Sequence, residues 1–175
     1  MNLTPLPQTT ELASTLLQAG LTIAVAESLT GGAVAAELAS VPGISGALVG
    51  GVVAYATPLK HTLLGVDEEL LDRRGAVDGE TAVAMAAAAR VAMTIDERVP
   101  DIGVATTGVA GPSAQEGKPV GTVFVGIDSL FGSHVVQLDF SSLVVPGDDV
   151  TSRNRIRQAT VEAAIFNVSE FLARQ

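Results

Sequence analysis

Cysteine and tryptophan are both absent from this sequence of 175 residues. Without cysteine the chain can form no disulfide, no thiolate nucleophile and no Cys-ligated metal site. Aromatic residues make up 3% of the chain and hydrophobic residues 47%, so we expect a core of aliphatic side chains and alanine. A single domain over residues 1–175 is long enough to bury such a core.

Basic residues and histidines are also few. Ten Lys and Arg against 19 Asp and Glu give a formal net charge of −9, which argues against a nucleic-acid surface. The two histidines, His61 and His134, are far apart and lack a carboxylate at ligand spacing, so we predict no metal site. The glycine patterns of dinucleotide-binding and phosphate-binding loops are incomplete, and we expect no cofactor.

Long apolar runs are missing as well. The chain has neither a basic nor an apolar export segment before Ala19. The most apolar helical stretch covers only residues 82–93 and contains Arg90, which makes it too short to span a bilayer. We therefore expect a cytoplasmic protein that acts without a membrane.

The sequence does contain an alternation of apolar, β-branched runs with helical stretches. The strands that it predicts cover residues 22–26, 47–55, 102–107, 120–127 and 134–140. The helices that it predicts cover residues 11–19, 33–39, 58–64, 67–73, 79–94 and 150–172. This alternation indicates a layered α/β domain, and the two neighbouring late strands indicate a mixed sheet.

Two of the predicted strands end in polar corners that contain glycine. The corner after the first strand holds Glu27, Ser28, Thr30, Gly31 and Gly32, and the corner after the third holds Thr107, Gly108 and Gly111. Such corners offer free backbone N–H groups and a helix N-terminus, which suit an anionic group. Two of them on one sheet would face one crevice, although a plain turn is the alternative for either corner alone.

Three arginines, Arg153, Arg155 and Arg157, lie at the start of the last predicted helix. Positive charge there opposes the helix dipole and is unfavourable unless an anion balances it. Arg153 and Arg157 are four residues apart and therefore share a helix face. A clamp for phosphate or carboxylate is one interpretation, and a salt-bridged surface is the other.

Nucleophilic catalysis would have to use serine or threonine with lysine or a carboxylate. Ser45, Tyr55 and Lys60 form one candidate set around the second strand. A straight strand, however, would hold Ser45 roughly 30 Å from Tyr55, so a bend at Gly50-Gly51 or a partner subunit would be needed. Otherwise the three are a turn residue, a strand-end anchor and a solvated charge.

Five segments together resemble the CinA C-terminal domain family, and they occur in the family's order. They are AESLTGG at 26–32, GGVVAY at 50–55 with Lys60, GAV at 75–77, TGVAGP at 107–112 and KPVGTV at 118–123. The resemblance covers about residues 11–172. It implies a three-layer α/β/α sandwich around a mixed β-sheet. The family includes stand-alone amidases that hydrolyse nicotinamide mononucleotide to nicotinate mononucleotide and ammonia. The resemblance therefore implies nicotinamide mononucleotide as the substrate.

The resemblance also implies roles for individual residues. It makes Ser45 the nucleophile and Lys60 its partner base, with Tyr55 and Thr107 at other active-site positions. Arg153 and Arg157 match a basic motif that would hold the substrate phosphate beside a glycine-rich corner. The corner after the first strand would then form a substrate-binding wall and a helix cap, with Ser28 as the second candidate nucleophile.

Two other functions stay open beside a Ser/Lys amidase. One is a catalytically silent nucleotide-binding or regulatory domain on the same fold, and the other is a serine amidohydrolase that acts on a different small amide. The apolar, glycine-rich strands and the separation of Ser45 from Tyr55 favour a homo-oligomer.

Overall fold

Five strands form one mixed sheet in the computed structural model, which describes residues 4–175. The strands are β1 (Ile23–Glu27), β2 (Leu48–Val53), β3 (Ile102–Gly108), β4 (Thr122–Ser129) and β5 (Gly132–Asp139). They lie in the order β2-β1-β3-β4-β5. The first three strands are parallel, whereas β4 is antiparallel to β3 and β5 is antiparallel to β4. The predicted mixed sheet is confirmed.

Helices cover both faces of this sheet. They are α1 (Pro7–Ala19), α2 (Ala33–Ala39), α3 (Thr57–Thr62), α4 (Glu68–Arg74), α5 (Gly79–Ala92) and α6 (Asp149–Leu172). Successive residues of β1 point to opposite faces, so Val25 packs with α1, α2 and α6 while Ala24 packs with Leu71 and Met85 of α4 and α5. The chain is therefore the three-layer α/β/α sandwich that the resemblance implies.

The alanine-rich helix α5 lies close against the sheet because glycines face it. A Cβ added at Gly103 would overlap the carbonyl oxygen of Ala86, and one added at Gly126 would overlap the backbone of Ala82. Small side chains on α5 and missing side chains on β3 and β4 thus let the two layers approach at backbone distance. This close approach fills the space between the two layers mainly with small side chains.

β2 is irregular and closely packed around its paired glycines. Leu48 and Gly50 pair with consecutive residues of β1, which marks a bulge between them. A Cβ on Gly51 would lie only 2.9 Å from the Cβ of Ala35, so α2 also approaches closely. The pairing with β1 then continues to Val53, so the bulge does not fold the strand back on itself.

The first helix begins earlier than the sequence indicates. The sequence predicts a helix over 11–19, which would leave Thr10 outside it, but α1 begins at Pro7. Proline suits the first turn because its missing N–H has no helical partner there in any case. Thr10 instead lies inside the helix and donates its hydroxyl to the carbonyl of Leu6 at 3.4 Å.

α6 carries the arginine cluster in its first turns. The Asp148 carboxylate caps the helix by accepting from the N–H of Thr151 at 2.9 Å. Ile156 and Ile165 are buried on its inner side. None of the helices within residues 4–175 has the length and apolar character to cross a bilayer.

The close contact of α5 with the sheet gives a stability prediction. Gly126→Ala should lower the free energy of unfolding by about 1–3 kcal/mol, because its methyl group overlaps helix backbone that cannot move aside. Gly50→Ala is the matched control, since its new methyl group would meet only the flexible Met93 sulfur at 3.3 Å. Urea unfolding measures both variants, and equal losses would contradict the packing argument.

Candidate active site

The two glycine-bearing corners lie side by side at one edge of the sheet. β1 and β3 are adjacent and parallel, so their carboxyl ends meet there. The N–H of Ser28 donates to the carbonyl of Thr106 at 3.0 Å, and the hydroxyls of Thr30 and Thr106 are 2.7 Å apart. The structure thus brings together the corners that the sequence predicted to share a crevice.

Glu27 holds the first corner from within. Its side chain is buried, and its carboxylate accepts from the N–H groups of Gly32 at 2.9 Å, Val34 at 3.1 Å and Ala35 at 2.8 Å. These donors belong to the first turn of α2, where a negative charge is stabilised. Both carboxylate oxygens are used in this way, so Glu27 is the helix cap of the corner and is not available to a substrate.

Lys60 lies at the floor of the crevice and is 1% exposed. Its Nζ donates to Ser28 Oγ at 3.1 Å and to the carbonyl oxygen of Ala54 at 3.1 Å. Burial lowers the pKa of Lys60 from its ordinary value of 10.5, and the negative charge of Glu116 partly opposes that shift. At a given pH, a larger fraction of Lys60 is therefore neutral, and able to accept a proton, than of a solvated lysine.

The structure does not bring Ser45 to Lys60. Ser45 is exposed in a short turn of 3-10 helix, Ile44–Gly46, just before β2. Lys60 follows the other end of that strand, and β2 stays paired with β1 between them. Within one chain the structure therefore does not form the Ser45–Lys60 contact that we expected. Ser28 is the serine that contacts Lys60.

Tyr55 and Arg153 lie together at the rim of the crevice. Tyr55 is 52% exposed, and Arg153 donates from Nη2 to its hydroxyl. Arg153 also donates from Nη1 to the carbonyl of Gly111 at 2.7 Å. Both side chains line the same cleft as Ser28 and Lys60. A planar cation is thus fixed at the mouth of the cleft, above a buried serine and lysine.

The second corner lines the cleft but offers no reactive group to it. Thr107 lines the cleft, but its buried hydroxyl donates to the carbonyl of Ala76 at 2.6 Å. Gly108 and Gly111 line it with backbone. Thr107 therefore fixes the neighbouring segment 75–77 against β3, and its hydroxyl is not directed at Ser28 or Lys60.

Thr30, Gly31 and Arg157 lie behind the cleft. Thr30 is fully buried against Thr106, and Gly31 adopts a left-handed conformation with φ of 63°. Arg157 donates from Nε to the carbonyl of Leu29 at 3.0 Å and from Nη2 to that of Thr30 at 2.8 Å. These residues were expected to bind substrate, but their polar groups are engaged by the corner itself.

The family model for the CinA C-terminal domain matches residues 7–172. The chain belongs to the CinA C-terminal domain family. It is 46% identical over 158 residues to a CinA-like protein of Frankia casuarinae, covering 90% of this chain and 33% of that protein. The chain thus spans about a third of the length of the curated relatives that it matches.

Solved structures of the CinA family share the fold over nearly their whole length. The competence/damage inducible protein CihA of Agrobacterium tumefaciens is 32% identical with a TM-score of 0.80, covering 97% of this chain and 98% of that one. A CinA superfamily protein of Klebsiella pneumoniae is 27% identical with a TM-score of 0.84, covering 96% and 97%. The arrangement of this CinA domain therefore matches that of crystallised relatives.

Glu116 is a residue of this CinA domain that sequence reasoning missed. It lies in an exposed turn closed by a bridge between Gln115 and Lys118. Its Oε2 accepts from the N–H of Val77 at 3.3 Å, and it occupies the space where a side chain at Gly75 would lie. The only sequence signal was a carboxylate in a loop beside the second corner.

Several charged or titratable groups lie around Lys60. Tyr55 and Arg153 line the same cleft, and Glu116 acts on Lys60 through its charge. Glu27 is bound to the N-terminus of α2, and Asp78 pairs with Lys118 at 3.9 Å. Glu116 is the charge that shifts the pKa of Lys60 upward.

Glu116→Gln should therefore lower the pKa of Lys60 further, because the opposing negative charge is removed while burial stays. A pH titration of the Lys60 side-chain NMR signals measures this directly. Glu80→Gln is the control, since Glu80 pairs with Arg74 on the surface. A Lys60 pKa that is unchanged or higher in Glu116→Gln would contradict the electrostatic role of Glu116.

Proposed function

We propose that this CinA domain hydrolyses the carboxamide of nicotinamide mononucleotide to nicotinate mononucleotide and ammonia. The observation that supports it most is the 3.1 Å hydrogen bond between the buried Lys60 Nζ and Ser28 Oγ in a cleft. A serine beside a lysine of lowered pKa is an arrangement that can activate a nucleophile for acyl transfer. The substrate itself rests on the resemblance of the cleft segments to those of the family's amidases.

The first half of the reaction forms an acyl-enzyme. Ser28 Oγ attacks the carboxamide carbon, which is electron-poor beside the cationic pyridinium ring, and its proton passes to the neutral Nζ of Lys60. The tetrahedral intermediate then breaks its C–N bond. Lys60 returns the proton to the departing nitrogen, which leaves as ammonia, and the nicotinoyl group, with the ribose phosphate still on its ring nitrogen, stays on Ser28 as an ester.

The second half clears the ester with water. Lys60, neutral again, accepts a proton from a water molecule as its oxygen attacks the ester carbon. The bond to Ser28 Oγ breaks, and Lys60 gives the proton to that oxygen. Nicotinate mononucleotide leaves, and the hydrogen bond between Lys60 and Ser28 is restored. Because Lys60 carries each proton, its neutral form is required at the start of both halves.

Arg153 is the group in this mechanism that recognises the phosphate of the nucleotide. Its guanidinium lines the cleft and is held in place by Tyr55 and Gly111, so it is oriented before a ligand arrives. A planar guanidinium binds phosphate through paired hydrogen bonds. Tyr55 would thus assist catalysis by orienting Arg153 at the mouth of the cleft.

Ser28→Ala should reduce ammonia release from nicotinamide mononucleotide by at least about 10³-fold, because no hydroxyl remains to form the acyl-enzyme. Ser45→Ala is the matched control and should retain activity within about twofold, since Ser45 lies at the far end of β2. Lys60→Met should reduce ammonia release as strongly as Ser28→Ala does.

The same assay separates the rival functions. Loss of activity in Ser45→Ala with retention in Ser28→Ala would contradict the assignment of the nucleophile. An increase in the melting temperature with nicotinamide mononucleotide, without ammonia release by the wild type, would indicate a silent nucleotide-binding domain. Absence of both effects would point to another amide as the substrate.

Arg153→Ala should raise KM for nicotinamide mononucleotide by about 10–100-fold, because a charge-assisted phosphate contact is lost. The same variant should change KM for nicotinamide riboside, which lacks the phosphate, by less than about threefold. Steady-state kinetics with both substrates measures the difference. An equal rise in KM for both would show that Arg153 acts on the cleft as a whole and not on the phosphate.

A further inference from the structure

Arg157 lies directly behind the turn that carries Ser28. Its Nε and Nη2 donate to the carbonyls of the two residues that follow the serine, Leu29 at 3.0 Å and Thr30 at 2.8 Å. Leu29 is 3% exposed and Thr30 is fully buried, so water has little access to replace these bonds. Only arginine offers donors in a rigid planar fork that can reach two neighbouring carbonyls at once.

The turn is held on its other sides by groups that bind N–H donors. Ser28 N–H donates to Thr106 at 3.0 Å, and the Glu27 carboxylate binds the start of α2. Arg157 is the side chain that donates to the two carbonyls, and that of Thr30 also accepts from the N–H of Ala33 in a longer bond of 3.4 Å. Removing the guanidinium would leave the buried Leu29 carbonyl without its donor and the Thr30 carbonyl with only the longer Ala33 bond, a state that proteins avoid by local rearrangement.

The position of Arg157 also separates it from the substrate. Arg153 lines the cleft, whereas Arg157 lines a different groove that includes Ala33 and Asn154. Its Nη2 packs against the back of the turn, where a Cβ added at Gly31 would lie 3.5 Å away. Its remaining nitrogen, Nη1, is 3.5 Å from Asn154 Oδ1. The guanidinium is thus engaged by protein acceptors on the side away from Ser28 Oγ.

We propose that Arg157 is a positioning residue that fixes the 28–31 turn and thereby keeps Ser28 Oγ within reach of Lys60. The inference rests on the proposed function, in which Ser28 is the nucleophile. A misplacement of reacting groups by about 1 Å can lower a rate about 10²-fold without a change in binding. Arg157 should accordingly affect kcat, while Arg153 affects KM.

Steady-state kinetics of Arg157→Ala on nicotinamide mononucleotide tests this division. We expect kcat to fall by about 10–100-fold and KM to change by less than about threefold. Guanidinium ion added at millimolar concentration should restore part of kcat by occupying the vacated site. Arg155→Ala is the matched control, because Arg155 is exposed and lies two residues away on another side of the helix.

A second readout does not depend on the substrate. A sulfonyl fluoride forms an S–O bond with Ser28 Oγ as its S–F bond breaks, with the serine proton passing to Lys60 and fluoride leaving. Mass spectrometry gives the rate of this modification. We expect Arg157→Ala to slow it about as much as it lowers kcat, and Arg155→Ala to leave it unchanged. Ser28→Ala shows which part of the signal arises from Ser28.

The outcomes separate this inference from the proposed function. Labelling of Ser28 that depends on Arg157, without ammonia release by the wild type, would overturn the substrate and support the positioning role. A large rise in KM with unchanged kcat in Arg157→Ala would make Arg157 a substrate ligand and overturn it. Wild-type protein that neither releases ammonia nor is labelled at Ser28 would overturn both.

Arg157→Lys covers the case in which the alanine variant does not fold. Lysine keeps the charge on α6 but lacks the planar fork, so it can reach one carbonyl and not both. We expect its kcat and its labelling rate to be at least about tenfold lower than those of the wild type, with KM unchanged. Wild-type rates in a folded Arg157→Lys would overturn the inference.

Discussion

The site depends first on the buried carboxylate of Glu27. An ionised carboxylate inside a protein is costly unless donors replace its water, and three backbone N–H groups at the start of α2 do so. The chain must therefore reverse between β1 and α2 within a few residues. That reversal, with Gly31 and Gly32 in left-handed conformations, presents Ser28 at the sheet edge and leaves two carbonyls facing Arg157.

Lys60 adds an electrostatic constraint to this geometry. Because burial lowers its pKa, the folded protein binds fewer protons than the unfolded chain between the lowered value and 10.5. The stability cost of Lys60 is therefore complete below that interval and disappears as the pH rises through it. The same burial lets the amine next to Ser28 lose its proton more readily than a solvated lysine does.

Local sequence patterns predict part of this arrangement, and the rest depends on tertiary packing. The alternation of elements predicted the mixed sheet, and two glycine corners on parallel strands predicted their shared cleft. The contact between Ser28 and Lys60 depends on how α3 docks beside β1, which no spacing along the chain encodes. The length of the strand correctly predicted that Ser45 lies far from Tyr55, because β2 stays paired with β1 and keeps the two residues at its opposite ends. Arg153 and Arg157 share a helix face, yet the turn behind Ser28 lies against only the second of them.

Because aromatic residues are scarce, the intrinsic tyrosine signal of the protein comes from the cleft alone. Tyr55 is the only tyrosine of the chain, and there is no tryptophan, so the tyrosine absorbance and fluorescence of the protein arise from one side chain. That side chain lies at the mouth of the cleft with its hydroxyl against Arg153. Its fluorescence is therefore a spectroscopic signal for that single location. No extrinsic dye or engineered fluorophore has to be attached to observe it.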